Sequence, residues 1–89
     1  MNRMYEIHKN LIVQKMGENE YVMVLLPKGT YFMVKGTGVD IWDLLVEQKT
    51  QSEIIDVLIK RYNCDYVTVK KSVEKFISEL ETEGVITLL

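Results

Sequence analysis

The chain has 89 residues, 47% of them hydrophobic and 27% charged, a balance that fits one small globular domain over residues 1–89 and excludes intrinsic disorder. So short a chain has little room for both a core and a deep catalytic cleft, which favours a binding module over an enzyme. Eleven basic against thirteen acidic residues leave a net charge of −2, so the basic excess of a general nucleic-acid binder is missing.

Residues Met1 to Asn10 mix Arg3, Glu6, His8 and Lys9 with scattered apolar residues, without the apolar core of a signal peptide. Leu11-Ile12-Val13 then reads as a short strand, closed by the polar stretch Met16 to Glu20. Tyr21 to Leu26 is the strongest strand signal and the longest apolar run, far short of the roughly 20 residues of a membrane span. Pro27-Lys28-Gly29 turns the chain, and Tyr31-Phe32-Met33-Val34 follows as a third strand.

Helical signals begin after Gly36. Thr37-Gly38-Val39-Asp40 has the form of a capping box, ahead of Ile41, Trp42, Leu44 and Leu45 at helical spacing. Thr50-Gln51-Ser52-Glu53 is a full capping box, opening a helix with Ile54, Ile55, Leu58 and Ile59 on one face that ends near Arg61-Tyr62-Asn63. Asp65 is the expected N-cap of the longest helix, whose stripe Val69, Val73, Phe76, Ile77 and Leu80 stops at Gly84. The expected architecture is therefore α+β and winged-helix-like. It has a three-stranded antiparallel meander over about 11–35, then three helices over about 38–83 packed on one sheet face.

The residues that carry chemistry are few. His8, near a terminus expected to be mobile, has no positioned partner, so it reads as a solvated side chain. Cys64 is the single cysteine and forms neither an internal disulfide nor a zinc site. It reads as inert small filler, and the chain as a protein of the reducing cytoplasm. Gly36-Thr37-Gly38 lacks the third glycine and the lysine of a phosphate loop. Lys75 with Glu79 and Lys70 with Glu74 sit four apart on the third helix, which suits a solvated face of intrahelical pairs. No catalytic residue, metal or cofactor is expected. Against DNA, that helix offers three lysines, four glutamates and no arginine from Tyr66 to Glu83, so no saturable duplex binding is expected at physiological salt.

The third strand is the informative one. It is apolar on both faces, and in a simple meander its outer edge is unpaired, an aggregation liability unless something covers it. An added strand from another chain is one cover. The third helix or a terminal segment is the other, and these residues leave both open.

Trp42-Asp43-Leu44-Leu45, Thr50 with Glu53-Ile54, Tyr62, and Val73 with Phe76, Leu80 and Gly84 together resemble the PqqD-like family over roughly Tyr31 to Ile86. There are two departures from its pattern: Ser72 stands where the family places an acidic residue, and Val46-Glu47 where it has Asp-Gly. The resemblance implies a non-catalytic recognition element of a pathway for ribosomally synthesised, post-translationally modified peptides. Such an element binds the leader segment of a precursor peptide and presents it to a modifying enzyme or leader peptidase, with no part for nucleic acid or membrane. Trp42 and the compact length look most like the discrete proteins of lasso-peptide systems. The alternatives are the version that serves pyrroloquinoline quinone synthesis beside a radical enzyme, and a winged-helix DNA-binding protein.

The resemblance also implies where the leader lies: as a strand beside the third strand, in a groove closed by the third helix. Backbone groups of Tyr31, Phe32, Met33, Val34 and Lys35 then hold it, and Phe32, Met33 and Val34 shape its apolar contacts. Thr68, Ser72, Lys75 and Glu79 share one flank of the apolar stripe and are expected to face the groove. The opposite flank, with Lys70, Glu74 and Glu81, is the alternative. Trp42, Ile54, Leu58, Val73, Phe76 and Leu80 are assigned to the core.

Overall fold

Alternation along the strands sets the central sheet. The structure, a computed structural model, describes residues 5–89. Strands β2 (Leu11–Gly17), β3 (Glu20–Leu25) and β4 (Thr30–Lys35) form an antiparallel sheet in the order β2-β3-β4. Tyr21, Met23 and Leu25 lie opposite Val34, Phe32 and Thr30, and Met23 and Val34 are buried beneath this inner face. The alternate residues Ile12, Tyr31 and Met33 stand on the outer face, 53%, 61% and 53% exposed. One face therefore meets the helices and the other meets solvent, as the meander requires.

Helices α1 (Thr37–Val46), α2 (Gln51–Tyr62) and α3 (Tyr66–Thr82) follow. The three-stranded sheet followed by three helices is the α+β arrangement expected from the sequence. Trp42, Ile54, Leu58, Val73 and Leu80 join Met23 and Val34 in one core cluster. Phe76 does not: it is only partly buried, packed against the edge of that cluster.

Helix ends show which local signals held. The Thr50 hydroxyl accepts from the Glu53 N–H at 3.2 Å while the Thr50 N–H donates to Glu53 Oε1 at 2.9 Å, the complete capping box. Asp65 accepts from the Thr68 N–H at 3.1 Å. The capping box expected at Thr37 does not form. Thr37 lies inside α1, the N-cap is Gly36 at φ 60°, and no side chain caps this end. The Asp40 carboxylate turns instead to Arg61, at 3.0 Å, and to the Tyr62 hydroxyl, so it joins α1 to the end of α2. A charged partner across the fold outcompetes a local backbone N–H.

The ends of the chain carry the second departure. β1 (Tyr5–Ile7) pairs antiparallel with β5 (Ile86–Leu88), two strands the sequence reading did not assign. His8 follows directly, its N–H donating to the Val85 carbonyl at 2.8 Å, so this segment is tied down rather than free. Its ring is exposed, and Nδ1 accepts from the Asn10 N–H at 3.0 Å. Cys64 is exposed too, its thiol 3.4 Å from the Tyr62 carbonyl oxygen, so it fills no core space. Among the described residues no helix is long and apolar enough to cross a membrane.

Candidate functional site: the groove between β4 and α3

β4 is an edge strand, and β1 and β5 pair with each other rather than with it. Among the described residues its outer edge therefore has no strand partner, and such an edge presents unpaired N–H and C=O groups, the template on which a further strand can form. α3 lies alongside that edge, and the two enclose a groove made of two adjoining cavities. One, of about 480 Å³, runs from Thr30 to Val34 along β4 and is faced by Phe76, Ser78, Glu79, Leu80, Thr82 and Glu83. The other, of about 340 Å³, takes in Met33, Val34 and Lys35 with Ser72, Lys75, Phe76 and Glu79, and is closed by Thr37, Gly38 and Ile41 of α1.

The structure thus brings Tyr31, Phe32, Met33, Val34, Lys35, Ser72, Lys75 and Glu79 to one groove. Thr68 lies outside it. Its hydroxyl donates to Asp65 Oδ1 at 2.7 Å, which commits the side chain to the start of α3. Lys70, Glu74 and Glu81, the opposite flank, line neither cavity. Phe32 and Val34 point to the core side of β4, whereas Tyr31 and Met33 belong to the outer face and border the groove along the strand's edge.

Phe76 is the groove residue that sequence reasoning misplaced. It falls in the apolar stripe of α3, so periodicity alone sends it to the core, yet it lines both cavities. Thr82 and Glu83 were also missed. Continuing the flank of Ser72, Lys75 and Glu79 by three and four residues reaches both, and that signal was present in the sequence.

Gly38 explains the close fit of α1 to this site. A Cβ there would lie 3.0 Å from Val34 Cγ1 and 3.2 Å from Phe76 Cε1, so the absence of a side chain lets α1 seat against both. From the sheet side, the Tyr21 hydroxyl donates to Asp43 Oδ1 at 2.6 Å, tying β3 to α1. That bond, more than burial, raises the Tyr21 pKa, because ionisation would remove the proton the hydroxyl donates.

Of the charges in the groove, Lys75, Glu79 and Glu83 have no ion-pair partner among the described residues. Among the described residues the ion pairs are Lys35 with Glu20, at 3.3 Å, and Asp40 with Arg61. The intrahelical pairs expected of Lys75 with Glu79 and Lys70 with Glu74 do not form, and the Lys70 ammonium stands 5.8 Å from the Tyr66 ring centroid instead. Exposed pairs at this spacing are so weakly favoured that side-chain entropy keeps them apart. No cluster of three or more His, Cys, Asp or Glu that could hold a metal occurs among the described residues.

Comparison with known proteins matches this geometry. The structure of TbiB1 in complex with the TbiA(beta) leader peptide superposes with a TM-score of 0.84 at 30% identity, over 91% of this chain and 93% of that one. No curated protein matches the chain. The family model for coenzyme PQQ synthesis protein D matches residues 20–86, which takes in β3, β4 and all three helices. With that match and that superposition, the chain belongs to the PqqD family, whose members are non-catalytic binding proteins.

Proposed function

We propose that this protein is a leader-peptide recognition element. It holds an extended segment of a ribosomally synthesised precursor against β4 and presents it to a modifying enzyme or leader peptidase of the same pathway, in the cytoplasm. The observation that carries the reading is the unpaired edge of β4 set over a groove that α3 lines. Strand addition there draws affinity from main-chain hydrogen bonds and selectivity from side-chain pockets. The resemblance to TbiB1 supports it, since that protein is held in complex with a leader peptide. Backbone groups of Tyr31 to Lys35 bond the peptide, and Phe32, Val34 and Phe76 floor the groove, with Ser72, Lys75 and Glu79 along its wall.

Assignment to a lasso-peptide pathway is the finer proposal. It rests on Trp42, and the comparisons name no product class. A second reading, a chaperone of quinone-cofactor synthesis, is favoured by the description of the matching family model. The sequence of a precursor gene found beside this one would separate the two.

The test is hydrogen exchange with the leader peptide of that neighbouring gene. Amides of β4 should gain protection, more than those of β3, which are already paired on both sides. Proline removes a donor, so of Met33→Pro and Val34→Pro one should abolish capture and the other should damage the sheet, as melting by circular dichroism distinguishes. Protection appearing on another surface while β4 stays unchanged would rule out the edge model. The precursor's mass should not change on incubation with this protein alone.

A further inference from the structure

We propose that the groove reads charge order along its peptide. The preferred segment carries, from N to C terminus, an acidic residue, an apolar residue two positions on, and a basic residue two positions beyond that. This rests on the reading of the groove as a peptide site.

β4 and α3 line the groove in opposite directions. Ser72 and Lys75 share a cavity with Lys35, whereas Thr82 and Glu83 share the other with Thr30 and Tyr31. From the end of β4 back to its start, the helix therefore presents Lys75, then Phe76 and Glu79, then Glu83. None of Lys75, Glu79 and Glu83 has an ion-pair partner among the described residues. Lys35 is engaged by Glu20 at 3.3 Å, which leaves Lys75 as the unpaired cation at its end of the groove. The wall is thus positive at one end, apolar at Phe76 and negative at the other.

Spacing converts that order into a sequence pattern. A helix rises about 1.5 Å per residue, so Lys75 and Glu79 are about 6 Å apart along the axis and Lys75 and Glu83 about 12 Å. An extended peptide advances about 3.4 Å per residue and turns alternate side chains to the same side. Residues i, i+2 and i+4 therefore sample about 14 Å of the wall, with i+2 at the junction of the two cavities, both of which the partly buried Phe76 lines. The neighbouring strands pair antiparallel, the slightly stronger geometry, and a peptide continuing that pattern runs from the Lys35 end to the Thr30 end. Its acidic residue comes first.

Selection of displayed random dodecapeptides on the whole protein tests this, run in parallel on the double variant Lys75→Glu with Glu83→Lys. Both positions are exposed, so the variant should keep its fold, which circular dichroism checks. The protein should enrich the acid–x–apolar–x–base order, and the double variant the opposite order. Resynthesised peptides with the two charges exchanged should bind roughly three- to tenfold more weakly, a difference that shrinks in 1 M salt. Binders that protect β4 but show no charge order, the opposite order, or the same order with both proteins overturn the inference and leave groove binding standing. If no selected peptide protects β4 amides, the peptide-groove reading fails and the charge-order proposal falls with it.

Discussion

Gly38 and Phe76 are close neighbours across the groove wall, and a Cβ on Gly38 would lie 3.2 Å from Phe76 Cε1. In an open helical site Gly→Ala is worth up to about 1 kcal/mol of stability. Here the added methyl also meets buried Val34 at 3.0 Å, and a β-branched side chain yields little. Overpacking of this kind costs roughly 1–3 kcal/mol, so Gly38→Ala should lose about 1 kcal/mol net and shift the Phe76 ring. Urea unfolding checks the sign: a stabilised Gly38→Ala protein would show that the contact is loose.

Phe76→Ala should cost about 1–3 kcal/mol, below the range for a fully buried phenylalanine, because part of the ring already faces the groove. Phe76→Leu should retain most of the stability. Leader affinity should fall further with alanine than with leucine, measured by titration on protein confirmed as folded. Equal affinity for all three proteins would remove Phe76 from the binding surface.

Two helix ends share one geometry with different residues. The Lys49 N–H donates to Leu44 O and the Gln48 N–H to Leu45 O, and the Val85 and Gly84 N–H groups do the same to Leu80 and Glu81. Both are Schellman ends, with Gln48 at φ 65° and Gly84 at φ 81°. Gln48→Gly should therefore stabilise by about 0.5–1 kcal/mol, and Gly84→Ala should destabilise by about 1 kcal/mol. At Gly84 the nearest atom to an added Cβ is Leu25 Cδ2 at 3.8 Å, so backbone conformation rather than crowding sets the loss. Paired denaturation curves should move in opposite directions.

The capping carboxylates predict the acid limb of stability. The Thr50 backbone N–H, then its hydroxyl, holds the Glu53 pKa below its usual 4.5, and the Thr68 hydroxyl, then its N–H, holds Asp65 below its usual 3.8. Across that window the unfolded chain binds more protons than the folded one, so stability is present above the usual values and lost as pH falls through the lower folded ones. Glu53→Gln with Asp65→Asn preserves both cap acceptors without the titration. The double variant should match the parent at pH 7 to within a few degrees and lose less between pH 5 and pH 3 in thermal melts.

Much of this protein was legible in its residues because the signals are local. Thr50 with Glu53, Asp65 with Thr68, and Gly84 satisfy backbone groups three or four positions away, so their roles need no knowledge of the fold. The apolar run of β4 and its place at the end of a meander were readable in the same way; the two flanks of α3 were readable as flanks, but not which of them lines the groove.

What only the tertiary structure decided depends on partners distant in sequence. Three-residue strands carry almost no periodicity, so Tyr5–Ile7 and Ile86–Leu88 become strands only because the fold brings the two ends of the chain together. Asp40 had a local cap available, but Arg61 and Tyr62 hold it from the end of α2. Phe76 carries the same period as Val73 and Leu80, and it faces a groove because β4 leaves its edge uncovered beside it. Periodicity selects the face of a helix, but the element packed opposite determines whether a residue on that face becomes core or binding surface.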